Sequence, residues 1–278
     1  GDGSVEAIEA WLADEPRAKG VVTLVRSPTN TGFSGGHNQG MAARPGEFFH
    51  VLNSDAMLRP GALAALVAAA RAHPRAGLVA SRLEDPDGTP QVSCFRTPSW
   101  GSEMIFAAHL SPLTRLLRRR HLPLPVDPDP AEIGWMSFAS ILLRAEMVEE
   151  IGPMDEGFFL YSEDIEYCVR AARAGWGLVF APEARVVHFR GGSAPVKARL
   201  KAKKRQPAYL YASRTRLHRI VHGPLGPLKA NLAWTFGKIL SPIRLLFGKA
   251  PHRGVEAQWR DIWINFFDPL GDSRKPKE

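Results

Sequence analysis

The chain has 278 residues, 45% apolar and 23% charged, which suits one large α/β domain with an appendage and excludes wholesale disorder. Two cysteines, Cys94 and Cys168, exclude a disulfide framework and make a reducing compartment the default. The net charge of +8 is uneven. Residues 196–278 hold 18 basic and 5 acidic side chains and residues 1–195 hold 18 and 23, so the basic character belongs to the tail and suggests anionic partners.

Apolar spacing over residues 5–12 predicts a short helix. The VVTLVR run predicts a buried strand over residues 20–26. A glycine-rich loop, residues 30–40, leads into a helix of small residues. Residues 47–52 form another apolar run, ending in Asn53-Ser54-Asp55, and Pro60 stands near the start of an alanine-rich helix that reaches about His73. Residues 77–83 are the next strand candidate, and Asp85-Pro86-Asp87-Gly88 is a turn. Residues 100–130, with Arg118-Arg119-Arg120 and a Pro/Asp-rich stretch, look like an inserted helix plus loop. After a further apolar run at 135–144, residues 162–175 predict a helix with Ser162 as N-cap and Ile165, Cys168, Val169 and Ala172 on one face. Residues 177–189 supply a last strand or pair of strands. From there the chain is lysine-rich to Arg205 and continues as amphipathic helices carrying Trp234, Trp259 and Trp263.

This alternation predicts an α/β fold, a mostly parallel sheet with helices on its faces, over residues 1–193, and a basic helical extension over 194–278. The most apolar late stretch, residues 225–247, is interrupted by Pro227, Lys229, Lys238, Pro242 and Arg244, so no spanning helix is expected. Residues 1–15 lack the basic-then-apolar pattern of a signal peptide.

Four stretches can carry chemistry. Asn53-Ser54-Asp55 ends an apolar strand, where ligands of open α/β sheets sit, and a carboxylate there suits a divalent cation; the same residues also suit a plain turn. The segment NTGFSGGHNQG, residues 30–40, allows a close backbone approach to a ligand without being a P-loop or a G-x-G-x-x-G motif, and equally suits a surface loop. Residues 155–164, DEGFFLYSED, interleave carboxylates with aromatics; carboxylates take hydroxyl protons and aromatics stack on sugars, although acids also favour a helix N-terminus. His188 ends an apolar strand and could complete a metal site with a distant carboxylate.

In their order these stretches resemble glycosyltransferase family 2, the inverting enzymes of GT-A fold, and most of all its rhamnosyltransferase-like branch of cell-wall and O-antigen assembly. The resemblance is carried by NTGFSGGHNQG, VLNSDAMLRPGAL, GPMDEGFFLYSEDIEYCVRAARAGW and ARVVHFRGGS, and spans about residues 2–193. It implies a GT-A (Rossmann-like) fold with Asp164 as catalytic base beside Glu163. Asp55 would hold the metal with His188 near it, and Asn30, Gly35, Gly36, Asn38 and Asn53 would lie on the donor side. Trp135, Asp155 and Glu156 would lie on the acceptor side. It further implies a divalent cation (Mg²⁺ or Mn²⁺), a dTDP- or UDP-sugar donor, L-rhamnose foremost, and a lipid-linked glycan acceptor. The enzyme would sit peripherally on the cytoplasmic face of the membrane, its basic tail against anionic lipid; no nucleic-acid partner is expected. The sequence departs from the family twice. Only the end of the family's second strand is matched, which implies a catalytic domain without its first β-α-β and leaves a non-catalytic binding protein as the alternative. Phe138 stands where glycine is usual, which implies a narrowed or altered sugar pocket.

Overall fold

The computed structural model describes residues 3–190, 196–250 and 254–276. The chain opens with helix α1 (Ser4–Asp14), α2 (Gly32–Ala43), strand β1 (Phe48–Leu52), the short β2 (Ala56–Leu58), α3 (Ala62–Ala72) and β3 (Ala76–Glu84). Then come β4 (Cys94–Phe95), α4 (Trp100–Ala108), α5 (Ser111–Leu116), β5 (Trp135–Met136), β6 (Ser140–Arg144), α6 (Ala145–Ile151), α7 (Glu163–Arg173) and β7 (Gly177–His188). Helices α8 (Val196–Lys201), α9 (Ala208–His222), α10 (Gly226–Leu240) and α11 (Gln258–Asp261) follow.

Five strands form one sheet in the order β1-β6-β3-β7-β2, and β4 pairs with β5 in a small second ladder. Side chains alternate across the sheet with the strand period of two. Leu78, Ala80, Ile141 and Leu143 face one way, into a core with Met147 of α6 and Tyr167, Cys168 and Ala171 of α7. Val79 and Leu142 face the other way, onto Leu66 and Ala70 of α3. Helices therefore cover both faces, and the α/β class is as the sequence implies.

The sheet is mixed rather than mostly parallel. Among the described residues only β3 and β7 pair in parallel; β1 with β6, β6 with β3, and β2 with β7 are antiparallel. The helix-separated strands β1, β3 and β7 do share one direction, but β6 inserts antiparallel between β1 and β3, so direction along the chain does not set the neighbours. The last strand is one strand, not two. Its register against β3 jumps from Ser81–Ala181 to Arg82–Arg185, leaving Pro182, Glu183 and Ala184 as an insertion where proline needs no ladder partner.

Two local expectations fail. Residues 20–26 form no strand; Val21 is 73% exposed and the segment pairs with nothing in the sheet. An apolar β-branched run becomes a strand only where it finds a partner edge, and neither edge strand, β1 or β2, pairs with this segment. The glycine-rich segment is a helix from Gly32 onward, not a loop. Packing overrides the poor helix propensity of glycine, and at Gly32, with φ +75°, a Cβ would collide with the Phe159 carbonyl oxygen.

Beyond β7 the helices close against the sheet domain. Gly237 of α10 lets its backbone meet Met104, Ala107 and Ala108 of α4 without a side chain between. Between α4 and α9, Glu103 accepts two hydrogen bonds from Arg214, at 2.9 and 3.1 Å, and pairs with His218 at 2.8 Å. Burial opposes the charge of Glu103, yet these cations hold its carboxyl down at about 2.

Candidate active site

Asp55 and His188 meet because β2 pairs antiparallel with the end of β7. The chain turns through Asn53, whose carbonyl accepts the Ala56 amide at 3.0 Å, and Ala56 then aligns with His188. The Phe189 amide donates to the Asp55 carbonyl at 2.9 Å. This register places His188 Nε2 3.4 Å from Asp55 Oδ1. Gln91 fixes the histidine strand end, donating to the His188 carbonyl at 2.9 Å and to Asp85 at 2.6 Å, while Arg190 donates to Gln91 at 2.6 Å. A carboxylate oxygen and an imidazole nitrogen facing one another suit a divalent cation whose other positions are taken by a ligand's oxygens and water. No group of three or more protein ligands occurs among the described residues.

Asp164 and Glu163 sit at the start of α7 behind two residues in the left-handed region, Tyr161 (φ 71°) and Ser162 (φ 74°). Two consecutive non-glycine residues there store about 1–3 kcal/mol each. Ser162 is the N-cap residue but makes no side-chain cap bond, since the left-handed backbone replaces the extended geometry that such a cap uses. Asp164 Oδ1 accepts the Ile165 amide at 2.8 Å. Burial pushes the Asp164 carboxyl up to about 7. Glu163 rises well above the carboxylate range, from burial first and the Asp164 charge second. Its Oε2 is buried without a hydrogen-bond partner.

Residues 136–139 connect the two places. Met136 and Phe138 meet α7, the latter edge-on against Tyr167 at 6.3 Å between ring centres. The Ala139 carbonyl accepts the Asn53 amide at 3.0 Å. Phe138 is thus a core side chain, 3% exposed, packed on α7. Trp135, one step earlier, stacks on Phe95 at 4.2 Å, and its indole N–H is buried without a partner.

The other sequence-derived residues spread out. Gly36 lines a cleft of about 780 Å³ between α2 and β1, with His37, Arg44 and His50, and a Cβ added there meets open space. Both histidines have their pKa lowered by burial. Asn30 lines a second cleft of about 660 Å³ with Phe159, Tyr209 and Arg199, and its side chain accepts the Gly32 amide. Gly35 faces inward, where a Cβ would strike Thr31. Asn38 clasps the Met154 backbone in both directions, at 2.9 and 3.0 Å, and donates to Glu156 at 3.0 Å, so it joins α2 to the acidic loop. Asp155 takes a two-pronged bond from Arg216 of α9, at 2.8 and 2.9 Å. The four donor-side residues of the glycine segment therefore do not share one cavity. Gln91 and Arg216 were not legible as site residues, because an isolated Gln or Arg carries no motif; Arg190, two residues past His188, was the nearest signal.

Comparison with known proteins gives the family context. The profile described as glycosyltransferase like family 2 matches residues 3–208. Over 148 residues, 51% of this chain and 47% of the relative, the chain is 32% identical to N-acetylglucosaminyl-diphospho-decaprenol L-rhamnosyltransferase of Mycobacterium tuberculosis. Over 57 residues, 20% of this chain and 22% of the relative, it is 30% identical to rhamnosyltransferase WbbL of Escherichia coli K12. The chain thus spans about half or less of the length of the curated relatives it matches. Among solved structures it is similar to mannosyltransferase PcManGT of Pyrobaculum calidifontis in complex with GDP-Man and Mn²⁺ (TM-score 0.52, 16% identity, 90% of this chain and 65% of that one). It is also similar to GalNAc-T7 with UDP, GalNAc and Mn²⁺ (TM-score 0.53, 15% identity, 91% and 51%). At these identities the structural likeness speaks for the fold.

Proposed function

The chain belongs to the glycosyltransferase like family 2, and from that premise we propose that this glycosyltransferase is an inverting, cation-dependent enzyme that moves L-rhamnose from a dTDP- or UDP-sugar to a lipid-linked glycan. The observation that carries this reading is the pairing of two unlike acidic sites: Asp55 facing His188 at 3.4 Å, and Asp164 lifted to about 7 at the start of α7. Asp55 and His188 would hold Mg²⁺ or Mn²⁺, with Asn53 beside them. When bound, that cation neutralises the charge that grows on a departing diphosphate.

Asp164 acts as base. Its carboxylate takes the proton of the acceptor hydroxyl as that oxygen bonds to the anomeric carbon from the face opposite the leaving group. The bond from the anomeric carbon to the diphosphate oxygen breaks in the same displacement, the nucleoside diphosphate departs with the electron pair, and configuration inverts. Glu163, poised to stay protonated beside Asp164, keeps a second negative charge out of the pocket. Trp135, Asp155 and Glu156 shape the acceptor side.

The L-rhamnosyl and diphospho-decaprenol words in the mycobacterial relative's name support the choice of sugar and of a lipid-linked acceptor. No helix among the described residues is long and apolar enough to cross a membrane. The reading therefore has residues 1–193 as the catalytic domain and 194–278 as a basic extension that rests on the cytoplasmic membrane surface. Calorimetric titration of the folded chain with dTDP-L-rhamnose and with UDP-sugars, with and without Mn²⁺, tests it. Binding that needs Mn²⁺ and ranks dTDP-L-rhamnose first is the expected result. Equal binding with and without the cation would refute the assignment of Asp55 and His188.

A further inference from the structure

Helix α10 is apolar on two sides. One side packs inward through Ala230, Trp234 and Gly237. The other carries Leu232, Phe236 and Ile239, at intervals of four and three residues, continued by Ile243 four residues on, just past the helix end, and all four are exposed. That spacing is a single helical stripe, turned away from the protein. It runs on into a 3₁₀ stretch, Ser241–Phe247, where Leu245, Leu246 and Phe247 are exposed, Leu246 to 82%. On the neighbouring α5, Leu116 is 79% exposed. Apolar faces of this extent on a folded chain mark a contact surface.

The charge around this face has one sign. Residues 104–126 and 226–255 contain no Asp or Glu, whereas they hold Arg115, Arg118, Arg119, Arg120, Lys229, Lys238, Arg244 and Lys249 among their basic residues. At the end of the stripe, α5 and the 3₁₀ stretch enclose a cleft of about 360 Å³ lined by His109, Arg115, Arg244, Phe247 and Lys249, among others, with no acidic residue in its lining. Arg244 is held in place by bonds to the His109 carbonyl and, at 2.9 Å, to the Ala250 carbonyl. The imidazole of His109 has its pKa lowered by burial first and then by the positive charges of Arg244 and Lys238, as a positive local field requires.

We propose that this face docks on an anionic lipid bilayer: the α10 stripe and Leu245-Leu246-Phe247 enter the headgroup layer, and the cleft between Arg115, Arg244 and Lys249 holds a lipid phosphate. Charge complementarity selects this occupant. A second copy of the chain would bring the same cations against one another, whereas an anionic bilayer satisfies the apolar stripe and the cations together. The docking face is then not the basic tail as a whole. It is a joint surface of α10, the 3₁₀ stretch and the helix-plus-arginine insertion of residues 111–120. The proposal deepens the membrane-surface part of the reading above, and its test uses neither donor nor acceptor, so it stands or fails apart from the transfer chemistry.

The test is co-sedimentation of the full chain with vesicles of phosphatidylcholine alone or mixed equally with phosphatidylglycerol. Wild type is expected to bind the mixed vesicles and not the neutral ones. Arg115→Glu with Lys249→Glu, both exposed, should weaken binding by about tenfold or more. Leu246→Ser with Phe247→Ser should abolish the part of binding that survives high salt. The charge-matched pair Arg17→Glu with Lys19→Glu, far along the chain just after α1, should leave binding unchanged. Circular dichroism and sizing confirm that each variant is folded and keeps its oligomeric state. Absence of wild-type binding overturns the proposal. Equal loss in the charge-matched pair also overturns it, since diffuse charge would then suffice. A change of oligomeric state in Leu246→Ser with Phe247→Ser, with vesicle binding intact, would assign the face to a second copy and overturn it as well.

Discussion

The two acidic sites at the ends of β1 and α7 are built in opposite ways. Asp55 sits 3.4 Å from a histidine on a strand whose end Gln91 fixes, an oxygen-and-nitrogen setting. Glu163 and Asp164 are instead pushed toward the protonated state by burial. The Glu103 and Asp155 carboxylates are handled differently again: each is met by an arginine, Arg214 and Arg216. An acid left high and unmatched at the mouth of a helix is suited to moving a proton, and one set against a histidine at a strand end is suited to holding a metal.

The largest effect expected is on the proton-moving side. On the proposed reading Asp164→Asn removes the acceptor for the hydroxyl proton, and the rate of transfer should fall by about 10²–10⁴, read by release of nucleoside diphosphate. Asp55→Ala should weaken cation-dependent donor binding by about 100-fold and His188→Ala by about tenfold, read by calorimetry in Mn²⁺. Equal effects of Asp55→Ala in the presence and absence of Mn²⁺ would dissolve the contrast between the sites.

The pH dependence sharpens the contrast further. With Asp164 near 7, kcat/KM should rise about tenfold per pH unit below that value and level off above it. Stability moves the other way. A carboxyl whose folded pKa lies above its unfolded value of about 3.9 stabilises the fold below that pH and loses this contribution as pH rises through 7. Denaturant titrations at pH 5 and pH 8, with Asp164→Asn as reference, should therefore show wild type losing stability relative to the variant at the higher pH. The smallest effect belongs to the structural pair. Arg216→Ala leaves Asp155 half-buried and unpaired, at a cost of about 1–3 kcal/mol, visible as a Tm lowered by about 2–4 °C per kcal/mol.

The site was more legible than the sheet. Asp55 and His188, 133 positions apart, were placed together from their motifs, and the structure joins them at 3.4 Å through a β2–β7 register that no local pattern announces. Helices α3 and α7 follow from their sequence pattern because each buries one face against neighbours that supply the energy, whereas α1 forms where its apolar spacing puts it but buries none of its residues. Residues 20–26 misled because a β-branched run states a preference but not a partner strand. The glycines at 32–40 misled in the other direction: what reads as a loop is a helix held by Phe159 and by the Asn38–Met154 clasp, contacts more than a hundred residues away. The antiparallel β6 was invisible because insertion of a strand between two others is a property of topology rather than of composition.

The most direct test of the division between the two sites is donor titration on two variants side by side. Calorimetry with dTDP-L-rhamnose and Mn²⁺ on Asp164→Asn and Asp55→Ala, both shown to be folded, should give wild-type affinity for the first and about 100-fold weaker binding for the second. Loss of donor binding in Asp164→Asn, with binding intact in Asp55→Ala, would contradict the account and exchange the roles of the two acids.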